Sequence, residues 1–386
     1  MLIPHIILAV IAVGALALRP RSARATLLVA LAGALDTLFG ASAGATFAVI
    51  APLIAFLAAA LTLAALVERS GLAERGASAL AASARGSALL LYLLVCAVCV
   101  LLTAAVSLDG AVVLMIPLLV TLARRFGAPF APLFLGTIVV ANAASIAVPQ
   151  GNPTNLVLIN RLGLSAAAFL EHMLAPGIAA AAIGVVGVAL SERRALAAPL
   201  RVATHQRRPL SAAERHAAIS LALAALVAWA APLAGIAPWW PFCGAVVLGV
   251  MTCRERPRLI IPWRIAVQVA GLLIVTHAVG LTVRVSAVAG LPGLLAIAAC
   301  VGAASALANN LPVSVCATGL LTAGAPAYAA SVGLAIGSLA TPQGSVATLI
   351  ASQLAGPTAP PVRVRRFAPL AAAGTLAATL LLWANF

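Results

Sequence analysis

Apolar runs recur along almost the whole chain, at 2–18, 25–40, 46–67, 88–106, 110–123, 129–148, 174–191, 217–235, 237–252, 265–282, 293–308, 311–323, 328–355 and 367–384. About 20 apolar residues cross a bilayer as a helix, so the pattern predicts an all-α polytopic membrane protein. Two of the runs are broken by polar patches, and the patches match. The first, Ser145 to Leu156, reads SIAVPQGNPTNL, and the second, Ser338 to Leu349, reads SLATPQGSVATL. Six of the twelve positions are identical, and the offset is 193 residues, half of the 386-residue chain. Pro lacks a backbone N–H and Gly weakens a helix, so each patch should break its helix. In hydrocarbon such a break survives only where protein or water covers the freed backbone groups. Matched breaks in two halves point to a transporter site near the membrane midplane.

The polar positions between runs set an orientation. With the N-terminus outside, 21 of the 23 Arg fall on the inner side and only Arg161 and Arg284 fall outside. Basic residues accumulate on the cytoplasmic side, so this sorting supports the assignment. The first Pro-Gln-Gly segment then runs outward and the second inward, as in inverted-topology repeats. The expected organisation is N-terminal helices at 1–45, a first inverted repeat at 46–191 and an Arg-rich cytoplasmic linker at 192–217. Scaffold helices follow at 218–252, the second repeat core at 253–355 and a C-terminal helix at 356–386. Each repeat is expected to hold a re-entrant helical hairpin and a discontinuous transmembrane helix. Segment 71–84 reads as an interfacial helix and 254–264 as a further surface segment. Trp239, Trp240, Trp263 and Trp383 suit an aromatic belt.

Composition narrows the class. The chain is 64% hydrophobic and 8% charged, with a net charge of +15 that comes wholly from Arg. In a soluble protein that charge would suggest nucleic acid, but in a membrane chain the inner-face bias accounts for it, so no nucleic-acid partner is expected. The six Cys lie in or beside apolar runs and form no spaced cluster resembling a zinc site, and neither metal nor cofactor is expected. The N-terminus lacks the basic start of a signal peptide and reads as a retained first helix.

Charged side chains inside a bilayer are costly, so each is a functional candidate. Asp109, in VSLDGAVVLMIP, stands between two apolar arms, and the Asn309–Asn310 pair in SALANNLPVSV is its expected counterpart. Two hairpin tips and two broken helices would then converge, with Asp109 as the single charge. Desolvation disfavours a charged carboxylate there, which makes Asp109 the candidate proton carrier. Around the breaks the candidate substrate ligands are Asn142, Gln150, Gly151, Asn152, Thr154, Asn155, Thr341, Gln343, Gly344 and Ser345. His277 is a lesser candidate, read first as a core histidine, and Asp36 is expected near the outer surface. An intramembrane enzyme would need a second central carboxylate or an HExxH motif, and the chain has neither.

At these residues the chain resembles the arsenite permease family of the ion-transporter superfamily, which also holds dicarboxylate and citrate carriers. The pieces that carry the resemblance are LDGAVVLMIPLLV (108–120), ANAASIAVPQGNPTNLVL (141–158), ANNLPVSVCATG (308–319), SLATPQGSVATLI (338–350), ALVERSGLAE (65–74) and PWRIAVQVAGLLIV (262–275). The resemblance implies that Asp109, Asn309, Asn310 and both Pro-Gln-Gly loops line the substrate path. Leu-Asp-Gly and Asn-Asn-Leu-Pro stand where carboxylate carriers have a Ser-Asn-Thr tip for sodium, which favours protons. Gln150 and Gln343 are more polar than an arsenite pump implies. The expected function is proton-coupled export of arsenite or antimonite across a bacterial cytoplasmic membrane, with an anion or di/tricarboxylate carrier of the same superfamily as the alternative. The expected partners are a small inorganic or anionic substrate, protons and the lipid bilayer. A separate ATPase subunit and homodimerisation are left open.

Overall fold

The computed structural model of the chain describes residues 2–18, 22–39, 43–200, 209–234, 236, 239–253, 261, 263–278 and 290–386. Arg19, Arg21, Arg201, Arg207, Arg208, Arg254, Arg256, Arg258 and Arg284, used above for orientation, lie outside the described residues, as does most of the expected surface segment 254–264. The side chain of His277 lies outside them as well.

Helices make up most of the described residues, with no β-strand among them. The first nine helices are α1 (Leu2–Leu18), α2 (Ala23–Leu38), α3 (Ala43–Arg69), α4 (Leu72–Ser83), α5 (Ala88–Ala105), α6 (Leu108–Phe126), α7 (Phe130–Ala144), α8 (Pro153–Leu162) and α9 (Ala166–Ser191). The rest are α10 (Arg193–Leu196), α11 (Ala212–Leu233), α12 (Trp239–Met251), α13 (Trp263–Ala278), α14 (Gly290–Ala308), α15 (Asn310–Leu320), α16 (Ala325–Ala335), α17 (Val346–Ala355) and α18 (Val364–Ala384). Six segments among them are long and apolar enough to cross a membrane: Ala88–Ala105, Phe130–Ala147, Ala166–Ser191, Ala212–Ala231, Gly290–Ala308 and Val364–Ala384. Large apolar side chains such as Ile178, Leu190, Leu226 and Val247 are exposed on the outer helices. In a polytopic membrane protein this is the lipid-facing surface.

Burial identifies the centre. The Phe130–Ala147 segment is 83% buried, whereas the other five candidate spans are between 28% and 39% buried. α7 is therefore sheathed by protein, and the others each give one side to the surroundings. α6 joins it in the core: every residue from Leu108 to Ile116 is buried. α4 bends 71° from α3 and sets Ala73, Ala77 and Ala81, one per turn, inward. Such a small-residue face lets it lie close against α6.

The two broken runs are broken here too. After α7 come two 3-10 turns, Ser145–Ala147 and Pro149–Gly151, and then α8. After α16 come the 3-10 turn Gly337–Ala340 and then α17. α8, α15, α16 and α17 have 10 or 11 residues each, half of what a span needs. One expectation of length fails: α6 has 19 residues, not the 14 of the apolar run at 110–123. The Ser107 cap starts the helix two residues earlier, and its last turn extends through Arg124 and Arg125.

Contacts between the two ends of the chain complete the fold. α2 packs on α13, where Gln268 Nε2 donates to Thr26 Oγ1 at 2.8 Å. α14 and α16 cross at glycines, and a Cβ on Gly333 would meet the Ala298 carbonyl oxygen at 2.5 Å and the Gly302 nitrogen at 2.9 Å. Close backbone approach of this kind is how membrane helices gain packing energy without a hydrophobic drive between them. The linker after α10 docks on the α4–α5 turn, with Leu200 N donating to Gly86 O at 2.8 Å.

Gly333→Val should overpack the α14–α16 crossing and cost about 1–3 kcal/mol. The measurement is the unfolding midpoint of the detergent-solubilised protein, and an unchanged midpoint would contradict the crossing.

Candidate functional site

The first break is held by its own asparagines. Val148 and Asn152 are extended (φ −134°, ψ 145° and φ −140°, ψ 134°), so the chain leaves helical geometry on both sides of Pro149-Gln150-Gly151. Asn152 caps α8: its Oδ1 accepts from Thr154 N at 3.0 Å, and its Nδ2 donates to Ser145 Oγ at 3.2 Å. Asn155 Nδ2 donates to the carbonyls of Ser145 (2.9 Å) and Val148 (3.1 Å), and its Oδ1 accepts from Ser331 Oγ on α16 at 2.8 Å. These side chains supply the partners that the interrupted helix ladder lacks. Asn142 bonds back within its own helix, Nδ2 to the Ile138 carbonyl at 2.9 Å.

The second break is held from outside, by the turn between α14 and α15. Asn309 Nδ2 donates to Gln343 O at 2.8 Å and Asn310 N to Gly344 O at 2.8 Å. In return, Gln343 Nε2 donates to Ala306 O at 3.2 Å, and Thr341 Oγ1 donates to the same carbonyl. The first half has the matching bond, Gln150 Nε2 to Ala104 O at 3.2 Å. Both glutamines thus tie a broken helix to the end of the preceding hairpin arm. The glycines beside them match as well. A Cβ on Gly151 would strike the Ser145 carbonyl oxygen, and a Cβ on Gly344 would strike that of Ser338. Each loop folds back onto the residue six positions earlier, which only glycine permits.

The hairpin tips share a cap. Ser107 (φ 152°) and Asn309 (φ 77°) are two of the three non-glycine residues with positive φ among the described residues. Ser107 Oγ accepts from Gly110 N, and Asn309 Oδ1 accepts from Leu311 N, each at 3.2 Å. Aligning the caps pairs Ser107 with Asn309 and Leu108 with Asn310. Asp109 then pairs with Leu311, not with the Asn309–Asn310 pair that spacing suggested. Holding an L-residue at positive φ costs energy, and the surrounding bonds keep both in place.

Four helix starts meet at one small pocket. It is lined by Leu108 and Asp109 of α6, Asn152, Pro153 and Thr154 at the start of α8, Asn310 and Leu311 of α15, and Val346 of α17. The space left has room for about one water molecule. Asp109 is 1% exposed, and its Oδ1 has no hydrogen-bond partner. Thr154 Oγ1 and Asn310 Oδ1, which also belong to pocket-lining residues, are buried and unpartnered. Ser345 Oγ, Thr348 Oγ1, Gln343 Oε1 and Asn142 Oδ1, in or near the breaks, are in the same state. Buried polar atoms are nearly always paired, so this concentration marks a place prepared for something polar.

Of the residues singled out from the sequence, Asp109, Asn152, Thr154 and Asn310 line the pocket. Gln150, Asn155, Asn309, Thr341 and Gln343 use side-chain groups to hold the breaks and tips, Gly151 and Gly344 allow the loops to close, and Ser345 stands at the start of α17. Sequence reasoning missed the apolar lining, Leu108, Pro153, Leu311 and Val346. Their signal is position, since Leu108, Pro153 and Val346 directly follow a cap residue and Leu311 stands two residues after one. Ser331 was missed too, as nothing local marks its bond to Asn155. Asp36, expected near the outer surface, is fully buried, and His5 Nδ1 lies 2.6 Å from its Oδ1.

A family model described as a citrate transporter, CitMHS, matches residues 5–340. The match takes in α6, the first break and the Asn309–Asn310 tip, and ends at Ala340, one residue before the second Thr-Pro-Gln-Gly. No curated protein matches the chain.

Gly151→Ala and Gly344→Ala should each destabilise the protein by about 1–3 kcal/mol, because a carbonyl stands where the methyl would go. Thr154→Val removes a buried hydroxyl that has no partner, so it should change stability by less than about 0.5 kcal/mol. Unfolding midpoints of the three variants test the division between residues that hold the breaks and residues that face the pocket.

Proposed function

We propose that this chain, which belongs to the citrate transporter family CitMHS, is a secondary carrier that moves citrate or a related carboxylate across a membrane. The family is one of transporters, not of enzymes. The observation that carries the reading is the meeting of four helix starts around unpartnered polar atoms. The first turn of a helix has free N–H donors and a partial positive charge, and an anion is stabilised there. Broken helices that aim their starts at an anionic substrate are a known transporter device. Arsenite export, which the sequence reading ranked first, has no support from the family match, and the carboxylate alternative has. With arsenite goes the reason to expect a separate ATPase subunit.

Asp109 supplies the coupling in this reading. Ionised, it competes with a substrate carboxylate for the same donors and repels it. Protonated, it presents an O–H to a substrate oxygen. Proton and substrate therefore favour each other's binding, which is the linkage a proton symporter needs. The narrowness of the pocket means that the elements around it part to admit a tricarboxylate. The expected ligand set narrows accordingly to Asp109, Thr154, Asn310 and the first-turn N–H groups, with Ser345 and Thr348 beside them.

The inverted-repeat organisation belongs to the same proposal. The paired glutamine bonds, the paired glycine contacts and the paired caps all support two equivalent units, α5–α8 and α14–α17, within the expected repeats 46–191 and 253–355. The buried tip at Asp109, rather than the length of α6, supports hairpins that turn back inside the membrane. The sorting of Arg supports an external N-terminus and a bacterial cytoplasmic membrane as the location.

Proteoliposomes holding the purified protein should accumulate labelled citrate when an inward proton gradient is imposed. Asp109→Asn should cut that uptake by about 100-fold and remove its dependence on the gradient, with the unfolding midpoint unchanged. Arsenite resistance in expressing cells, with no carboxylate uptake in vesicles, would return the assignment to arsenite.

A further inference from the structure

α6 and α17 pack side by side, and each has one end at the four-helix junction. Their other ends line a separate cleft of about 470 Å³. Asp109, Val113, Ile116, Val120 and Arg124 are spaced by three or four residues and form one stripe along α6. The top of the stripe, Asp109, lines the junction, while Ile116, Val120 and Arg124 line the cleft. On α17, Val346 lines the junction and Leu354 the cleft, two turns apart. At a rise of about 1.5 Å per residue, about 10–12 Å separates the two spaces along either helix. Val113 on one helix and Ile350 on the other occupy the interval. Both belong to the main apolar core, and neither is more than 2% exposed.

The cleft is made for water, not lipid. Glu68, Glu74, Arg124 and Arg125 stand around it, and charges on a lipid-facing surface would be prohibitively costly. Arg125 Nη2 lies 3.1 Å from Glu74 Oε2, whereas Arg124 and Glu68 have no ion-pair partner among the described residues. Acids and bases balance there, so the cleft does not trap anions but offers them a hydrated route with one uncommitted cation. A second cleft of about 440 Å³, beside Arg69 and His216, is lined by none of the four helices that meet at the junction.

We propose that the charged cleft at the far ends of α6 and α17 is the mouth through which the carboxylate reaches the four-helix junction, and that Val113 and Ile350 form the layer that closes this route in the present state. The proposal rests on the carboxylate-carrier reading for its substrate, but not for its geometry. It assigns Arg124 as the cation the anion meets first on this side. It also assigns Val113 and Ile350 as the side chains that part when the junction opens toward the cleft.

The test uses the full chain with its six native cysteines replaced. Thr121→Cys, on the cleft wall, should react with a membrane-impermeant thiol reagent in vesicles of one orientation only, the one that presents the Arg124 face. Its modification should stop citrate uptake. Val113→Cys should react roughly tenfold more slowly, since it is reached only while the layer is open. Ser191→Cys, exposed at the end of α9, serves as the control that reacts without loss of uptake. The mouth is rejected if Thr121→Cys stays unlabelled from both sides while the control reacts, or if its full modification leaves uptake intact. Equal rates at Thr121→Cys and Val113→Cys reject the closing layer. The labelling rates need no substrate, so absence of citrate uptake in the unlabelled protein would sink the carboxylate reading and leave the route to be judged on labelling alone.

Discussion

A helix that breaks inside an apolar interior releases carbonyls and N–H groups that bulk water cannot reach, and one such group left unpaired costs about 1–3 kcal/mol. This chain breaks two helices near its centre, at Pro149-Gln150-Gly151 and Pro342-Gln343-Gly344. In the first, Asn152 and Asn155 return hydrogen bonds to Ser145 and Val148. In the second, the Asn309–Asn310 tip does so from across the fold. Because the partners of the second break come from the neighbouring α14–α15 turn, that broken helix and that tip cannot be displaced independently without exposing unpaired groups. The junction geometry, the glycine contacts and the strained caps all follow from that requirement.

The two halves meet it unequally. The second break exchanges four hydrogen bonds with its hairpin, through Asn309, Asn310, Thr341 and Gln343, whereas the first has the single bond from Gln150 to Ala104. The first break instead reaches α16, where Ser331 Oγ donates to Asn155 Oδ1. The stronger local stitching belongs to the stretch 290–355, which has no charged residue. Asp109, the carboxylate among the residues that line the junction, sits at the tip that is less firmly tied to its own broken helix.

Much of this was legible in the sequence, and the limits have physical causes. Pro, Gly and the apolar runs announce the breaks, because helix geometry is local. The isolation of Asp109 among apolar residues announces a buried tip, because charge burial is costly wherever it occurs. What pairing does to a side chain is not local. Gln150 and Thr154 read alike as polar residues in a polar patch, yet one amide is committed to the Ala104 carbonyl, 46 residues away, and the other residue's hydroxyl has no partner. The pairing of Asp36 was hidden in the same way, because its partner, His5, is 31 positions distant. The cap register was hidden for a similar reason. Spacing from the breaks set Asp109 opposite two asparagines, whereas the backbone at Ser107 and Asn309 shifts it to face Leu311.

That shift has a consequence for the polarity of the pocket. Two equivalent hairpins alone would build a pocket whose two ends are interchangeable, and a molecule such as citrate, with two identical arms on a central carbon, could lie in it either way round. A carboxyl group at one end and the isobutyl side chain of Leu311 at the equivalent end remove the interchange. The two ends of the pocket therefore differ in polarity, and a ligand lying along it would meet a carboxyl group at one end and a hydrocarbon at the other.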